Sequence, residues 1–186
     1  MVRFDSGRIC LDLVATGAQE SEQLCGVAEL GRWLLGAGLV PGGTRLAGLD
    51  ADWLARFVEL RYCIAQLVNA ELGTSVEGAS TALDRVNVLA AAPPPGVRAI
   101  RGADGGLVRT LSRAPECGAL LAVVARDAVD LLTDPEARAR LRQCEGDNCR
   151  LLYLDTSRGR RRRWCSSEVC GNRERVARHR RRVAAL

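Results

Sequence analysis

Residues 144–173 read CEGDNCRLLYLDTSRGRRRRWCSSEVCGNR. Cys144 and Cys149 are separated by four residues, Cys165 and Cys170 by four more, and fifteen residues lie between the pairs. Two short Cys loops brought together by a hairpin form the tetrahedral thiolate cage that zinc prefers. Four thiolates fill the coordination sphere, so one such Zn2+ would be structural and not catalytic. Paired disulfides, or four unrelated core cysteines, are the other readings of this spacing.

Leu151 to Leu154 suit a strand, and Asp155 to Gly159 supply turn chemistry. Arg161 to Trp164 then return as a second strand that brings Cys165 beside the first pair. Ser166 or Ser167 can cap a helix that holds Cys170 in its first turns and runs to about residue 184. Knuckle, hairpin and ligand-bearing helix make a treble-clef-like, four-cysteine zinc finger. At about 100° per residue, Val169, Val176 and Val183 share one edge of that helix, expected to pack on the hairpin and knuckle. Arg175, Arg178 and Arg182, with Arg181 nearby, are then expected to face solvent as phosphate contacts. Arg161 and Arg163 from the second strand join them. Arg173 is expected to be structural support, bonded to backbone or a thiolate, and Trp164 to be apolar filler over the knuckle.

Working outward, the charge divides where the cysteines begin. Residues 1–140 hold 14 arginines and 17 acids, a net of −3; residues 141–186 hold 13 arginines and five acids, a net of +8. A zinc tetrathiolate centre would reduce the latter to about +6. This asymmetry predicts two domains, an acidic body over 1–140 and a basic module over 141–186. All 27 basic residues are Arg and none is Lys, as translation from a GC-rich genome would give. No run of about 18 apolar residues exists, so no membrane span is expected. The first residues lack a signal-peptide apolar region. The expectation is a cytoplasmic protein whose thiols stay reduced, which favours metal over disulfide.

The body reads as mainly helical, so the fold class is α+β, mainly α: a helical N-terminal body with a short strand and a β-hairpin, followed by the finger. RICLDLV, residues 8–14, reads as the strand, with Asp12 between apolar flanks and in need of a partner. Helices are expected over about 26–37, from Asp50 as cap to about Leu72, and from Ser80 as cap with Leu83, Val86, Asn87 and Ala90 inward. Arg61 falls on the apolar stripe of the second of these, and Asp12 is its expected partner. VRAIR and LVRTL flank GADGG as a hairpin. The segment 119–132 is the expected central helix. Thr133 and Glu136 suit a capping box with Pro135 in the first turn of a short helix to Arg142. Asp12, Arg61, Asn87 and Trp33 fit either a small polar effector pocket or a satisfied core network. Cys10, Cys25, Cys63 and Cys117 lack metal spacing and read as core filler.

The stretch CxxxxC…LLYLDTSRGRRRRWCSSxxCGNR resembles the CGNR zinc finger, whose name is Cys170-Gly171-Asn172-Arg173 here. Residues 9–16, ICLDLVAT, are similar to the LCLDFxNT-type motif of its usual companion, the ABATE domain. This chain has Ala15 where that motif has Asn. Together the resemblances span essentially the whole chain. They imply zinc ligation by Cys144, Cys149, Cys165 and Cys170, and a bacterial, stress-related transcriptional regulator whose finger binds DNA.

The residues themselves support phosphate contact more than base readout, since no side chain is assigned to a groove edge. RNA binding is the alternative, weakened by having only Tyr153 and Trp164 as aromatic platforms. A protein-interaction module meeting an acidic partner is a third class, and a homodimer is an open partner. An enzyme is not expected: the single histidine, His179, lies in the basic helix, and no nucleophile–base pair or open metal position is visible.

Overall fold

The computed structural model describes residues 3–18, 21–75 and 77–184. Its body is helical: α1 Ile9–Ala15, α2 Val27–Gly36, α3 Ala51–Glu71 and α4 Ala79–Ala91 precede a hairpin of β1 Val97–Arg101 and β2 Leu107–Leu111. There follow α5 Cys117–Thr133, the short α6 Pro135–Arg138, β3 Leu141–Gln143, β4 Leu152–Leu154 and α7 Cys170–Ala184. Helix α5 packs on α4, α3 and α1, and burial along it runs through Leu120, Leu121, Val124, Ala125, Ala128 and Leu131. The GADGG hairpin forms as expected, with Arg101 opposite Leu107.

Residues 8–14 are not a strand. They form α1, in which Cys10 through Ala15 are all buried, so alternation between an inner and an outer face has no meaning there. The helix is closed from outside its own sequence. Asp127 of α5 accepts from the Cys10 amide at 2.9 Å and pairs with Arg8 at 2.9 Å. An orphan amide of the first turn is thus satisfied by a carboxylate 117 residues away.

Three further expectations shift. Helix α4 starts after Gly78 (φ +73°) instead of being capped by Ser80. It buries Ala82, Val86 and Leu89 and leaves Leu83 and Asn87 exposed. Asp134, not Thr133, caps α6 by accepting from the Glu136 amide at 2.9 Å; Thr133 is spent on the Val129 carbonyl, and the helix ends at Arg138. The hairpin of the finger pairs β4 with β3, placing Leu141 opposite Leu154, while residues 161–164 form no strand. Asp50 caps α3 as expected, accepting from the Trp53 amide at 3.0 Å.

Strand β4 belongs to two cores at once. Leu152 and Leu154 enter the core of the body with Leu141, whereas Tyr153 between them enters the core of the finger with Leu151 and Ala15. The chain before α1 seals this junction, because the Leu154 amide donates to the Ser6 carbonyl at 2.8 Å. Gly7 follows at φ +90°, where a Cβ would sit 3.0 Å from Leu154 Cβ. Both the left-handed backbone and the close approach require glycine there.

Candidate metal centre and basic surface

The knuckle cysteines converge from separate parts of the finger: Cys144 follows β3, Cys149 precedes β4, Cys165 lies ahead of α7 and Cys170 begins it. Their four Sγ atoms all lie within 4.8 Å of one another. Cys149–Cys165 is 3.7 Å and Cys165–Cys170 is 3.6 Å. Zinc–sulfur bonds of about 2.3 Å put tetrahedral sulfurs about 3.8 Å apart, whereas a disulfide needs about 2.05 Å. All four thiols are free. This geometry is a cage and not a pair of crosslinks.

Electrostatics agree with a cation in that cage. Burial, with the neighbouring thiolates, pushes Cys149 up to about 11 and raises Cys170 as well. Cys144 is lowered: burial opposes this, but donation from the Cys165 amide at 3.3 Å and from the Gly146 amide outweighs it. Four thiolates so close would repel one another, and a divalent ion with a preference for sulfur would supply the missing positive charge.

Around the cage, side chains lock Cys165. Arg162 donates to the carbonyls of Trp164 (2.8 Å) and Cys165 and lies 4.6 Å from the Tyr153 ring centroid. Tyr153 is fully buried, and its hydroxyl donates to the Arg162 carbonyl at 2.6 Å. Arg3 reaches in from the N-terminal segment. Its Nη1 donates to Cys165 Sγ at 3.3 Å and its Nη2 to the Cys165 carbonyl at 3.3 Å, while Asp5 holds the other edge of the guanidinium. Arg3 therefore occupies the place expected of Arg173. No spacing rule could have found it, since 162 residues separate it from Cys165.

Residues 7–135 match the family model for ABATE, described as "Putative stress-induced transcription regulator", and residues 140–183 match the CGNR zinc finger. The chain belongs to the ABATE family. No curated protein matches it. Within this ABATE-family chain, the finger is a zinc-binding module whose four clustered cysteines could hold one structural ion.

The faces of α7 differ from the expectation. Cys170, Glu174 and Ala177 turn toward the knuckle, and Glu174 pairs with Arg181 at 2.9 Å. The valine edge points away: Val169, Val176 and Val183 are 45%, 49% and 59% exposed. Of the arginines expected to meet phosphate, Arg181 and Arg163 are engaged by Glu174 and by Glu145 (2.6 Å). Arg175 folds back on the Gly171 and Ser167 carbonyls. Arg161, Arg178 and Arg182 are exposed and have no ion pair among the described residues. Arg173 shares that condition, with Arg180, Arg150, Arg158 and Arg160, and makes no bond to a sulfur. Trp164 is half-buried against the knuckle, with Arg163 5.2 Å from its ring centroid.

The four polar or amphipathic residues of the body go to different surroundings. Arg61 pairs not with Asp12 but with Glu22, at 2.7 and 2.6 Å, and also donates to Thr16 Oγ1 at 3.1 Å. Burial works against the Arg61 charge, but Glu22 more than offsets it and the pKa rises; Arg61 in turn holds Glu22 below its usual range. Asp12 instead accepts from the Ser6 amide at 3.0 Å, and burial raises its pKa. Trp33 is a core residue packed edge-on against Phe57. Asn87 is on the exposed face of α4. Cys25 is exposed, whereas Cys10 and Cys117 are buried and Cys63 is half-buried.

Proposed function

We propose that this protein is a DNA-binding transcriptional regulator of the bacterial cytoplasm that contacts DNA through its zinc finger and carries out no catalytic step. The observation that carries this reading is the set of eight exposed finger arginines whose side chains have neither an ion pair nor a hydrogen bond among the described residues: 150, 158, 160, 161, 173, 178, 180 and 182. Three of the five acids of the module are spent inside it. Glu145 and Glu174 hold Arg163 and Arg181, and Asp155 is buried, accepting from the Ser157 and Arg162 amides. The outward charge is thus predominantly positive, a field suited to a polyanion. Single-stranded RNA is less well served. Tyr153 is fully buried and Trp164 is packed on the knuckle, so neither module aromatic offers an open face for base stacking.

Titration of labelled duplex fragments over a salt series, with zinc retained, tests the reading. Five to eight phosphate contacts give a slope of log affinity against log salt of about −4.5 to −7. Replacement of Arg173, Arg178, Arg180 and Arg182 by Ala should flatten the slope by about 3 to 4 while leaving one zinc per chain. Absence of binding at low salt, or an affinity indifferent to salt, would remove the proposal.

A further inference from the structure

Taking DNA as the partner, we infer that α7 enters the major groove and reads base edges with its outward stripe: Asn172, Val176, His179 and Val183. Rotation about the helix places these four within about 60° of one another and roughly opposite Cys170, Glu174 and Ala177. The metal fixes this rotation, since Cys170 must face the cage. Arginines lie on both flanks of the stripe: Arg173 and Arg180 on one side, Arg175 and Arg182 on the other.

The same pattern written as heptads excludes the usual occupants of an exposed apolar edge. With Val169, Val176 and Val183 at a, the d positions are Asn172 and His179, so no continuous apolar seam exists for a second copy. The positions beside the seam, e and g, are Arg173, Arg180, Arg175 and Arg182. Two such helices side by side would repel at every flank. A membrane-surface helix would need a wide apolar face with large side chains; here it is three valines interrupted by Asn and His. A narrow, weakly apolar stripe between two cationic rails fits a groove walled by phosphates.

Dimensions select which groove. A helix is about 10–12 Å across with its side chains, which the roughly 12 Å wide major groove accepts and the roughly 6 Å wide minor groove does not. The 15 residues of α7 extend about 22 Å, two-thirds of a turn of duplex. Chemistry suggests what is read. Valine methyls suit the thymine C5-methyl group. Asn172 spends one Nδ2 hydrogen on the Glu168 carbonyl at 2.7 Å, which orients the amide, and its Oδ1 can accept from an adenine N6 or cytosine N4 amino group.

Dimethyl sulfate distinguishes the grooves, because it methylates guanine N7 in the major groove and adenine N3 in the minor. The expected footprint of the full zinc-loaded chain on a duplex selected from a random pool is protection of guanine N7 with adenine N3 still reactive. Selection repeated with Asn172→Ala and with Val176→Ala should lose preference at one position each, by about tenfold in relative affinity, with salt slope and zinc content unchanged. Protection at adenine N3 alone would overturn the inference. So would unaltered base preference in both variants, or a valine-dependent dimer that binds DNA no differently after Val176→Arg. Those outcomes leave salt-dependent DNA binding in place; loss of all binding at low salt would instead take down the DNA reading on which the inference rests.

Discussion

The pair Arg61–Glu22 predicts an asymmetry that a contact list alone would not give. The Arg61 side chain is 4% exposed and the Glu22 side chain 41% exposed, so the two partners stand to lose different things. In Glu22→Ala the guanidinium stays in the protein with only Thr16 and the face of Tyr62, 5.1 Å away, to compensate it. An uncompensated buried charge costs about 3–5 kcal/mol, and the opening on the Glu22 side lets water recover part of this, for a net of about 2–4 kcal/mol. In Arg61→Met most of the side-chain volume is kept, and the freed carboxylate rehydrates. The loss is then the net worth of a charged hydrogen-bonded pair at a partly wet site, about 1–2 kcal/mol. Glu22→Ala should therefore be the more destabilising by at least about 1 kcal/mol, and the double variant should be no less stable than Glu22→Ala alone. Urea midpoints of the zinc-loaded protein read both quantities. The pH dependence supplies a second check. The Glu22 pKa is lowered by folding, so its contribution is present above the unfolded value near 4.5 and is lost as pH falls through the lower folded one. Arg61→Met should lack that part of the acid slope. If Arg61→Met proves the costlier change, or the two losses simply add, the pair is not the buried-charge arrangement described.

Two other outcomes follow from the cage and its surroundings. Arg3→Ala removes the donor to Cys165 Sγ and should weaken zinc retention about 10- to 100-fold in a competition against a chromophoric chelator, whereas Arg173→Ala should leave zinc affinity within error. Chelation of zinc should loosen the body as well as the finger: hydrogen exchange at the Leu154 amide, which is bonded to Ser6, should accelerate along with that at Cys144, while amides in the middle of α5 keep their protection.

What could be read in advance followed the range of the forces involved. The zinc ligands were legible because a four-cysteine site is local spacing plus the coordination chemistry of one ion. The Asp50 cap and the GADGG hairpin were legible for the same reason, each being decided within a few residues. Helix α1 was not, since a seven-residue segment with almost no exposed face has no periodicity to display, and its N-terminal amide is satisfied by Asp127 from far along the chain. In α4 the apolar residues 82, 83, 86, 89 and 90 fit two helical phases, and packing against α3 and α5 chooses the one that exposes Leu83 and Asn87. The partner of Arg61 was hidden in a loop with no regular pattern. The orientation of α7 is different, because the sequence does contain its answer. Hydrophobicity says valines inward, but a metal ligand is worth far more than three exposed valines, and Val176 lies about 120° around the helix from Cys170. Ranking the two energies gives the observed rotation.

The junction between body and finger also constrains how the one could influence the other. A single strand, β4, contributes Leu152 and Leu154 to the body and Tyr153 to the knuckle. Helix α1 does the same with Leu11, Leu13 and Ala15, the last packing among the ligand cysteines in place of the Asn found in the motif it resembles. The backbone bond from Leu154 to Ser6 and the Arg3–Cys165 contact close the remaining side. These elements are nearly all buried, and close-packed interiors do not deform continuously. A signal reaching α7 from the body cannot pass through a flexible tether, because the contacts here are packed and hydrogen-bonded. It would have to shift a discrete element, and the N-terminal segment carrying Arg3 and Asp5 is the candidate, since it adds no residue to either core and touches the knuckle from outside. Regulation through the body therefore predicts a state in which Arg3 leaves Cys165 while Tyr153 stays buried, so that zinc is held less tightly without the finger being lost.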